Sequence, residues 1–147
     1  MPESFSLQRA ALWRRLAAAA YDLLLVLALL MVLTTAVILA RGGAAIDPGS
    51  VWFQLLLIAV WWLYFGWSWT HGGQTLGMRA WRLVLAGEAG PGAIGWRQAG
   101  LRFAGAALSL LPAGLGFLWC LVDGEGLSWH DRLSHTRLGY RRPLAQS

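Results

Sequence analysis

The apolar run at residues 16–40 constrains this chain more than any other feature. A helix needs about 20 apolar residues to cross a bilayer, so the run is long enough to span one. Arg14 and Arg15 precede it, and Asp22 is the only charged residue inside it. A carboxylate in a spanning helix costs roughly 2.5–3.5 kcal/mol at the bilayer centre and usually faces protein or water. We therefore expect a retained membrane helix, not a cleaved signal peptide, with Asp22 turned towards a partner.

Helical periodicity places small residues on the same face as Asp22, where they would let another helix approach closely. That face contains Arg15, Ala18, Ala19, Asp22, Val26 and Leu29. Two interpretations of Asp22 stay open. In one, an arginine pairs with it and holds helices together. In the other, it is a protonatable or ion-binding site on a transport path. Its candidate partners are Arg15, Arg97 and Arg102.

Two further hydrophobic segments follow. Residues 51–70 predict a second span whose tryptophans and tyrosine crowd its second half, as is typical near a membrane interface. Residues 101–122 form a third segment that is interrupted by Pro112 and its neighbouring glycines. Proline removes a backbone donor and kinks a helix, so this segment is either a kinked span or a re-entrant pair of half-helices. The predicted fold is a single all-α membrane domain over residues 1–147, with amphipathic cytoplasmic segments.

The positions of the arginines predict the orientation. All twelve basic residues are arginine, and the mean hydropathy of the chain is +0.52. The loop between the first two spans holds only Arg41, whereas the leader, the loop after residue 70 and the tail hold the others. Positive loops face the cytoplasm, so we expect a cytoplasmic N-terminus. A fully crossing third segment would put the arginine-rich tail outside, and this favours the re-entrant alternative.

Two short stretches alternate apolar and polar residues and give weak strand signals, at 80–86 and 136–141. A re-entrant third segment would let these strands meet on one side of the membrane. Residues 8–15 are expected to begin a helix that lies in the headgroups, with Phe5, Leu7, Leu12 and Trp13 at the boundary between water and the apolar phase. Near the tail, Ser128 and Asp131 have the spacing of a capping box at a helix start.

Several function classes are disfavoured. The arginines flank hydrophobic runs instead of forming one soluble patch, which favours lipid headgroups over nucleic acid as partner. The single cysteine excludes an internal disulfide and a cysteine-based zinc site. The three histidines, His71, His130 and His135, fit no metal-binding spacing, and no serine lies in a nucleophile elbow. We expect no enzymatic activity, metal or cofactor.

Several motifs occur in an order that resembles the RDD family of small bacterial membrane proteins. They are an arginine entering the first span, Asp22 within it, Gly73-Gln74-Thr75-Leu76-Gly77-Met78-Arg79, and His130-Asp131-Arg132-Leu133-Ser134-His135-Thr136. The usual family patterns resemble GQTLGKR and HDxxAGT, so Met78 replaces a lysine and Ser134-His135 replaces Ala-Gly. The family's second aspartate corresponds best to Asp131, and Asp123 is the weaker candidate.

The resemblance implies a multi-pass protein of the bacterial inner membrane and suggests transport without naming a substrate. Three segments and one buried acid cannot enclose a path alone, so we expect a homo-oligomer that moves a monovalent cation, a proton or a small solute. The alternative is a structural or accessory membrane protein. The main site candidates are Arg14, Arg15, Asp22 and Asp131. Supporting candidates are Gln74, Thr75, Gly77, Arg79, Arg97, Arg102, Pro112, Asp123, His130 and Thr136.

Overall fold

A computed structural model describes residues 6–88, 90–92, 94–112 and 114–142 of the chain. Within these ranges the protein is mostly helical, as expected. The polypeptide runs through a short first strand, two long helices, a compact region of short helices and strands, and a last strand that returns to the first. Phe5, which was expected at the headgroup boundary, lies outside the described residues.

The two long helices are α1 (Leu12–Ala40) and α2 (Val51–Thr70). Both are long and apolar enough to cross a membrane. The second has the predicted bounds, and the first begins four residues before the predicted apolar run, at Leu12. Large apolar side chains point outward, among them Leu24 at 67% and Val32 at 69% exposure. Exposure of this kind is unfavourable in water and is typical of helices that face lipid.

A four-stranded antiparallel sheet was not included in the predicted all-α class. Its strands are β1 (Ser6–Arg9), β2 (Leu83–Gly87), β3 (Gly90–Pro91) and β4 (Arg137–Arg142), in the order β1-β4-β2-β3. The stretches with weak strand signals became β2 and β4, which pair with Leu83 opposite Tyr140. The helix expected from Gln8 does not begin there, because Gln8 pairs with Tyr140 in the sheet.

The chain after β3 forms four short or medium helical elements. Helix α4 (Trp96–Leu110) is followed by α5 (Leu115–Leu118), a 3-10 turn at Trp119–Leu121, and α6 (Trp129–Leu133). The break falls at the predicted interruption, where Pro112 lies and Gly114 has a φ of +81°. Helix α6 packs on α4 at Gly105, where an added Cβ would lie 3.0 Å from the Cα of His130. This close approach leaves little room for a side chain at Gly105.

The hydrophobic core lies between the sheet and the ends of the helices. Leu83 and Leu85 of β2 are fully buried and pack with Trp69 of α2 and Ile94. The core also includes Met78 of α3 (Leu76–Ala80), which is 6% exposed. Met78 stands where the resembling pattern has lysine, so an apolar contact occupies the position of a cation. The core packs the segment before β2 against the N-terminal part of α1, which is the end predicted to face the cytoplasm.

Candidate functional site

Asp22 accepts hydrogen bonds from three neutral donors. It is 3% exposed. The hydroxyl of Tyr64 on α2 donates to Oδ1 at 2.7 Å, and the backbone N–H of Gly77 donates to the same oxygen at 2.8 Å. The hydroxyl of Thr75 lies 2.5 Å from Oδ2. One carboxylate therefore joins α1, α2 and the start of α3.

Gly77 is a glycine because Asp22 lies against it. A Cβ at this position would be 2.8 Å from Cγ of Asp22 and 2.9 Å from Oδ1, and would also collide with the carbonyl of Ala18. Thr75 caps α3 by accepting from the N–H of Met78 at 3.1 Å. Gln74 anchors the same loop to the sheet through its amide, which donates to the carbonyl of Leu83 at 2.6 Å. The Gly73–Arg79 segment, which includes most of α3, is thus shaped around the Asp22 carboxylate.

The arginine partners expected for Asp22 do not reach it. Among the described residues Asp22 forms no ion pair: Arg15 and Arg102 both bind Asp131, and Arg97 is exposed on the first turn of α4. Arg15 is seven residues from Asp22 along α1, a distance of about 10 Å at 1.5 Å per residue. Tertiary packing therefore directs the guanidinium to a carboxylate on α6 instead.

Asp131 forms the second buried carboxylate centre, and its partners are charged. Its side chain is 0% exposed. Arg102 Nη1 binds Oδ1 at 2.5 Å and Arg15 Nη1 binds Oδ2 at 3.2 Å. The N–H of Ser128 also donates to Oδ2 at 3.1 Å, which is the reciprocal half of the predicted capping box. One carboxylate thus connects the start of α1 with α4 and α6.

The two arginines are also bound to other groups around this centre. Arg15 donates to the carbonyls of Gly126 at 3.1 Å and Leu138 at 3.3 Å. Arg102 donates to the hydroxyl of Thr136 at 2.9 Å and lies over the ring of Trp69, 5.3 Å from its centroid. The centre contains two guanidinium groups and one carboxylate, so it carries excess positive charge.

This surplus charge shapes the titration of Asp131 and His130. Burial by itself raises the pKa of Asp131, but Arg102, His130 and Arg15 outweigh it and lower the pKa to about 2. Burial, followed by repulsion from Arg102, lowers the pKa of His130 to about 3, although Asp131 opposes this. At neutral pH Asp131 is therefore ionised and His130 is neutral. Its Nδ1 is buried without a hydrogen-bond partner among the described residues.

The turn after α6 carries a strained residue. His135 has a φ of +51°, in the left-handed region that glycine adopts most readily. This is the position where the resembling pattern has glycine, so histidine here takes a glycine conformation. The turn brings Ser134 and Thr136 together, with their hydroxyl oxygens 2.7 Å apart. Thr136 is thereby placed to accept from Arg102.

The other predicted residues lie around the two centres. Arg14 stacks on Tyr140, 4.3 Å from the ring centroid, and Arg79 is exposed on α3. Asp123 pairs with Arg132 and accepts from the N–H of Leu127 at 2.8 Å, and these interactions hold its pKa below the usual range. Pro112 touches neither carboxylate through a described hydrogen bond.

Sequence reasoning missed Tyr64 as a ligand of Asp22 and Arg9 as an anchor of the tail. Arg9 donates to the carbonyls of Asp123, Gly124 and Glu125. Tyr64 was assigned to a general aromatic belt, and only its position opposite Asp22 distinguishes it from the neighbouring tryptophans. No group of three potential metal ligands occurs among the residues that the structure describes.

The protein has two apolar helices of spanning length, and buried carboxylates join them to a region of short helices and a small sheet. These features define a membrane-associated and mostly helical protein. Sequence comparison specifies the class further, because the RDD family profile matches residues 9–135. The chain belongs to the RDD family. No curated protein and no solved structure matches it significantly. The matched region contains Arg15, Asp22 and Asp131.

Proposed function

We propose that this protein is an oligomeric transporter or channel of the bacterial inner membrane, which moves an ion or small solute and uses Asp22 as its ionisable site. One observation carries this proposal: every described donor to Asp22 is uncharged. A carboxylate buried in a candidate spanning helix without a cationic partner is the kind of group that marks ion and proton paths.

Neutral donors favour exchange because a carboxylate without a cationic partner can lose its charge without leaving a buried cation unpaired. Hydrogen bonds to a charged group contribute about 1.5–3 kcal/mol, against roughly 0.5–1.5 kcal/mol for neutral ones. The Thr75 hydroxyl can rotate and accept a proton from Asp22 instead of donating one. Protonation or cation binding at Asp22 would therefore weaken the hydrogen bond that it accepts from the N–H of Gly77 in α3. This would couple occupancy of the site to movement of the Gly73–Arg79 segment.

The proposed topology follows from the sheet. Strand β1 precedes α1, β2 follows α2, and β4 follows the third hydrophobic segment. All three nevertheless belong to one sheet, in which β4 lies between β1 and β2. If α1 and α2 both span, the segment at 101–122 has to return to the side where it began. This supports a re-entrant arrangement in which α4 enters, the chain turns near Pro112, and α5 leads back.

The arginines support a cytoplasmic sheet. Arg41 ends α1 at the far side, whereas the other arginines lie in or beside β1, α3, the first turns of α4, α6 and β4. Cytoplasmic ends of membrane proteins carry this excess. With only two helices that cross fully, one copy offers too few walls for a path. The proposal therefore places the path between copies, with Asp22 reached from it when the Gly73–Arg79 segment that covers this carboxylate moves.

The test is a flux assay in proteoliposomes with a pH-sensitive dye and a panel of monovalent cations. Asp22→Asn keeps the shape of the side chain and removes its charge, so we expect normal insertion and loss of cation-dependent proton movement. Asp47→Asn is the matched control, because Asp47 lies in the exposed turn before α2 and its carboxylate accepts, among the described residues, only from the N–H of Gly49. Equal flux in wild type and Asp22→Asn would overturn the role of Asp22.

A second candidate function is a structural or accessory role in which the Arg–Asp contacts hold helices and a partner in place. The Asp131 centre favours it, because two arginines saturate that carboxylate and leave no exchangeable state near neutral pH. The same assay separates the two functions. In the accessory role, Asp22→Asn lowers the amount of assembled protein, and wild-type protein that is well folded carries no flux.

A further inference from the structure

A cavity lies beside the start of α1, where Arg15 borders it. Its volume is about 260 Å³, and β1, the loop at residues 124–126 and the start of β4 surround it. Since one water occupies about 30 Å³ in the liquid, the space holds a phosphate group together with part of its hydration shell. Neither Asp22 nor Asp131 lines this cavity. Arg15 lines it and also binds Asp131.

The charged residues that line this cavity are mostly cationic. Among the described residues they are Arg9, Arg15 and Arg137, with Glu125 as the one carboxylate. Asp131, which neutralises part of the Arg15 charge, is fully buried behind it. The cavity therefore has a positive potential that Glu125 only partly cancels. Such a field attracts anions.

The three arginines are held in different ways. The guanidinium of Arg15 is 10% exposed and anchored by backbone carbonyls and Asp131, so it contributes charge from a fixed position. Arg9 uses Nε and Nη2 to bind the carbonyls of the 123–125 turn, which orients its guanidinium at the rim. Gly126, with a φ of +69°, makes room for it: a Cβ there would lie 2.8 Å from Cζ of Arg9.

Arg137 is the adjustable member of the set. Its Nη2 lies 3.7 Å from Glu125, and the two side chains are 61% and 62% exposed. Exposed pairs at such a separation contribute little to stability and are readily exchanged for a better partner. A phosphate offers the planar guanidinium two oxygen acceptors for a bidentate contact, at a higher negative charge than a carboxylate carries. An anion entering the cavity would therefore displace Glu125 from Arg137.

We propose that this cavity binds a phosphate anion, either free or as the headgroup of an anionic lipid, through Arg9 and Arg137 with Arg15 as a fixed background charge. Both sources present the same phosphoryl oxygens to the same arginines. The location beside the entry of α1 suits a lipid headgroup, since arginines next to a span attract anionic lipids. This inference does not depend on transport through Asp22.

The experiment uses the full chain, purified in neutral detergent for one arm and reconstituted in nanodiscs for the other. In the first arm, inorganic phosphate is titrated calorimetrically. In the second, the thermal unfolding midpoint is compared between discs of phosphatidylcholine alone and discs that also contain phosphatidylglycerol. Arg137→Gln is expected to weaken phosphate binding by about tenfold, the loss of one charge-assisted contact, or to abolish the rise in midpoint with the anionic lipid.

Two further variants keep the test decisive. Glu125→Gln removes the competing carboxylate from an exposed position and is expected to strengthen binding severalfold, an effect that misfolding cannot imitate. Arg41→Gln removes the same charge at the opposite end of α1 and is expected to change neither arm. Saturable binding that Arg137→Gln weakens in the first arm identifies free phosphate, and an effect confined to the second identifies a lipid headgroup. The proposal fails if neither arm responds to Arg137→Gln, or if Arg41→Gln has an equal effect.

Discussion

Asp22 and Asp131, the two most buried carboxylates among the described residues, have similar burial, but the partners of Asp22 are neutral and those of Asp131 are mainly cationic. Asp22 on α1 is 3% exposed and Asp131 on α6 is 0% exposed. Two hydroxyls and one backbone N–H bind Asp22, whereas two guanidinium groups and one backbone N–H bind Asp131. Both connect α1 to elements far away in sequence.

The difference lies in what each environment does to the ionised state. Arginines around Asp131 lower its pKa to about 2, so its charge is permanent under physiological conditions. The donors around Asp22 carry no charge, so this carboxylate has no counter-ion among the described residues. Burial alone therefore does not identify a functional acid. The charge of its partners separates a group that fastens helices from one that is able to change state.

The largest expected effect comes from removing the carboxylate at the fastening centre. Asp131→Asn leaves Arg15 and Arg102 buried without a counter-charge, and breaking a buried pair on one side costs roughly 3–5 kcal/mol. We expect a large fall in the thermal unfolding midpoint and in the yield of folded protein. Glu125→Gln, which breaks only the exposed pair with Arg137, is the control. Similar unfolding midpoints for the two variants would mean that Asp131 contributes no more to stability than the exposed Glu125–Arg137 pair.

The pH dependence of stability sharpens the comparison at the same centre. Burial and Arg102 lower the pKa of His130 from 6.5 to about 3, so the unfolded chain binds a proton in this interval that the native protein does not. Stability should therefore fall as the pH drops from 6.5 towards 4, by up to about 1.4 kcal/mol per pH unit. Asp131 contributes to the slope only at lower pH, because its stabilisation is lost as the pH falls from 3.8 towards about 2.

Replacing His130 isolates this contribution. In urea titrations between pH 4 and 6.5, His130→Gln should show a flatter slope of unfolding free energy against pH than wild type. His71→Gln, at the exposed C-terminal end of α2, should keep the wild-type slope. An unchanged slope in His130→Gln would mean that the buried imidazole does not control the acid sensitivity.

A smaller effect is expected from crowding the neutral centre. Gly77→Ala places a Cβ against Asp22 and the carbonyl of Ala18, and overpacking of this kind costs about 1–3 kcal/mol. If the Gly73–Arg79 segment has to move when Asp22 changes its occupancy, the variant should also lose flux. Gly72→Ala is the matched control, because nothing lies within 4 Å of its Cβ position. Full flux and stability in Gly77→Ala would argue against close packing of α3 on Asp22.

The smallest expected effect is a gain in stability. His135→Gly relieves a left-handed conformation that costs a non-glycine residue about 1–2 kcal/mol, although glycine returns part of this through its freedom in the unfolded chain. We expect a net stabilisation of about 0.5–1 kcal/mol in chemical denaturation. His135→Ala retains the strain and should show no gain. A less stable His135→Gly would indicate that the imidazole itself supports the turn beside Thr136.

Much of the local structure followed from short-range patterns. Hydropathy located α2 at its observed bounds and most of α1, because a long apolar run has few ways to satisfy its backbone except a helix. The proline and glycines at 111–116 marked the end of α4 and the start of α5. The alternation at 80–86 and 136–141 indicated β2 and β4, although the all-α class did not include their sheet.

Pairing across the chain did not follow from these patterns. Strand β1 carried no signal of its own, because a four-residue strand depends on the neighbour that pairs with it. Its last two residues, Gln8 and Arg9, were expected to begin a helix. Arg15 was a reasonable partner for Asp22, because one helical face carries both. Its actual partner lies 116 residues away.

The sequence by itself determined two apolar helices, the break near Pro112, a buried acid on α1 and membership in a family of membrane proteins. These properties depend on composition and periodicity over short windows. Only the tertiary structure decided that Tyr64, Thr75 and Gly77 bind Asp22 while Arg15 and Arg102 bind Asp131. The choice between a neutral and a cationic partner depends on contacts between distant segments, and the packing of α3 on α1 and of α6 on α4 fixes those contacts.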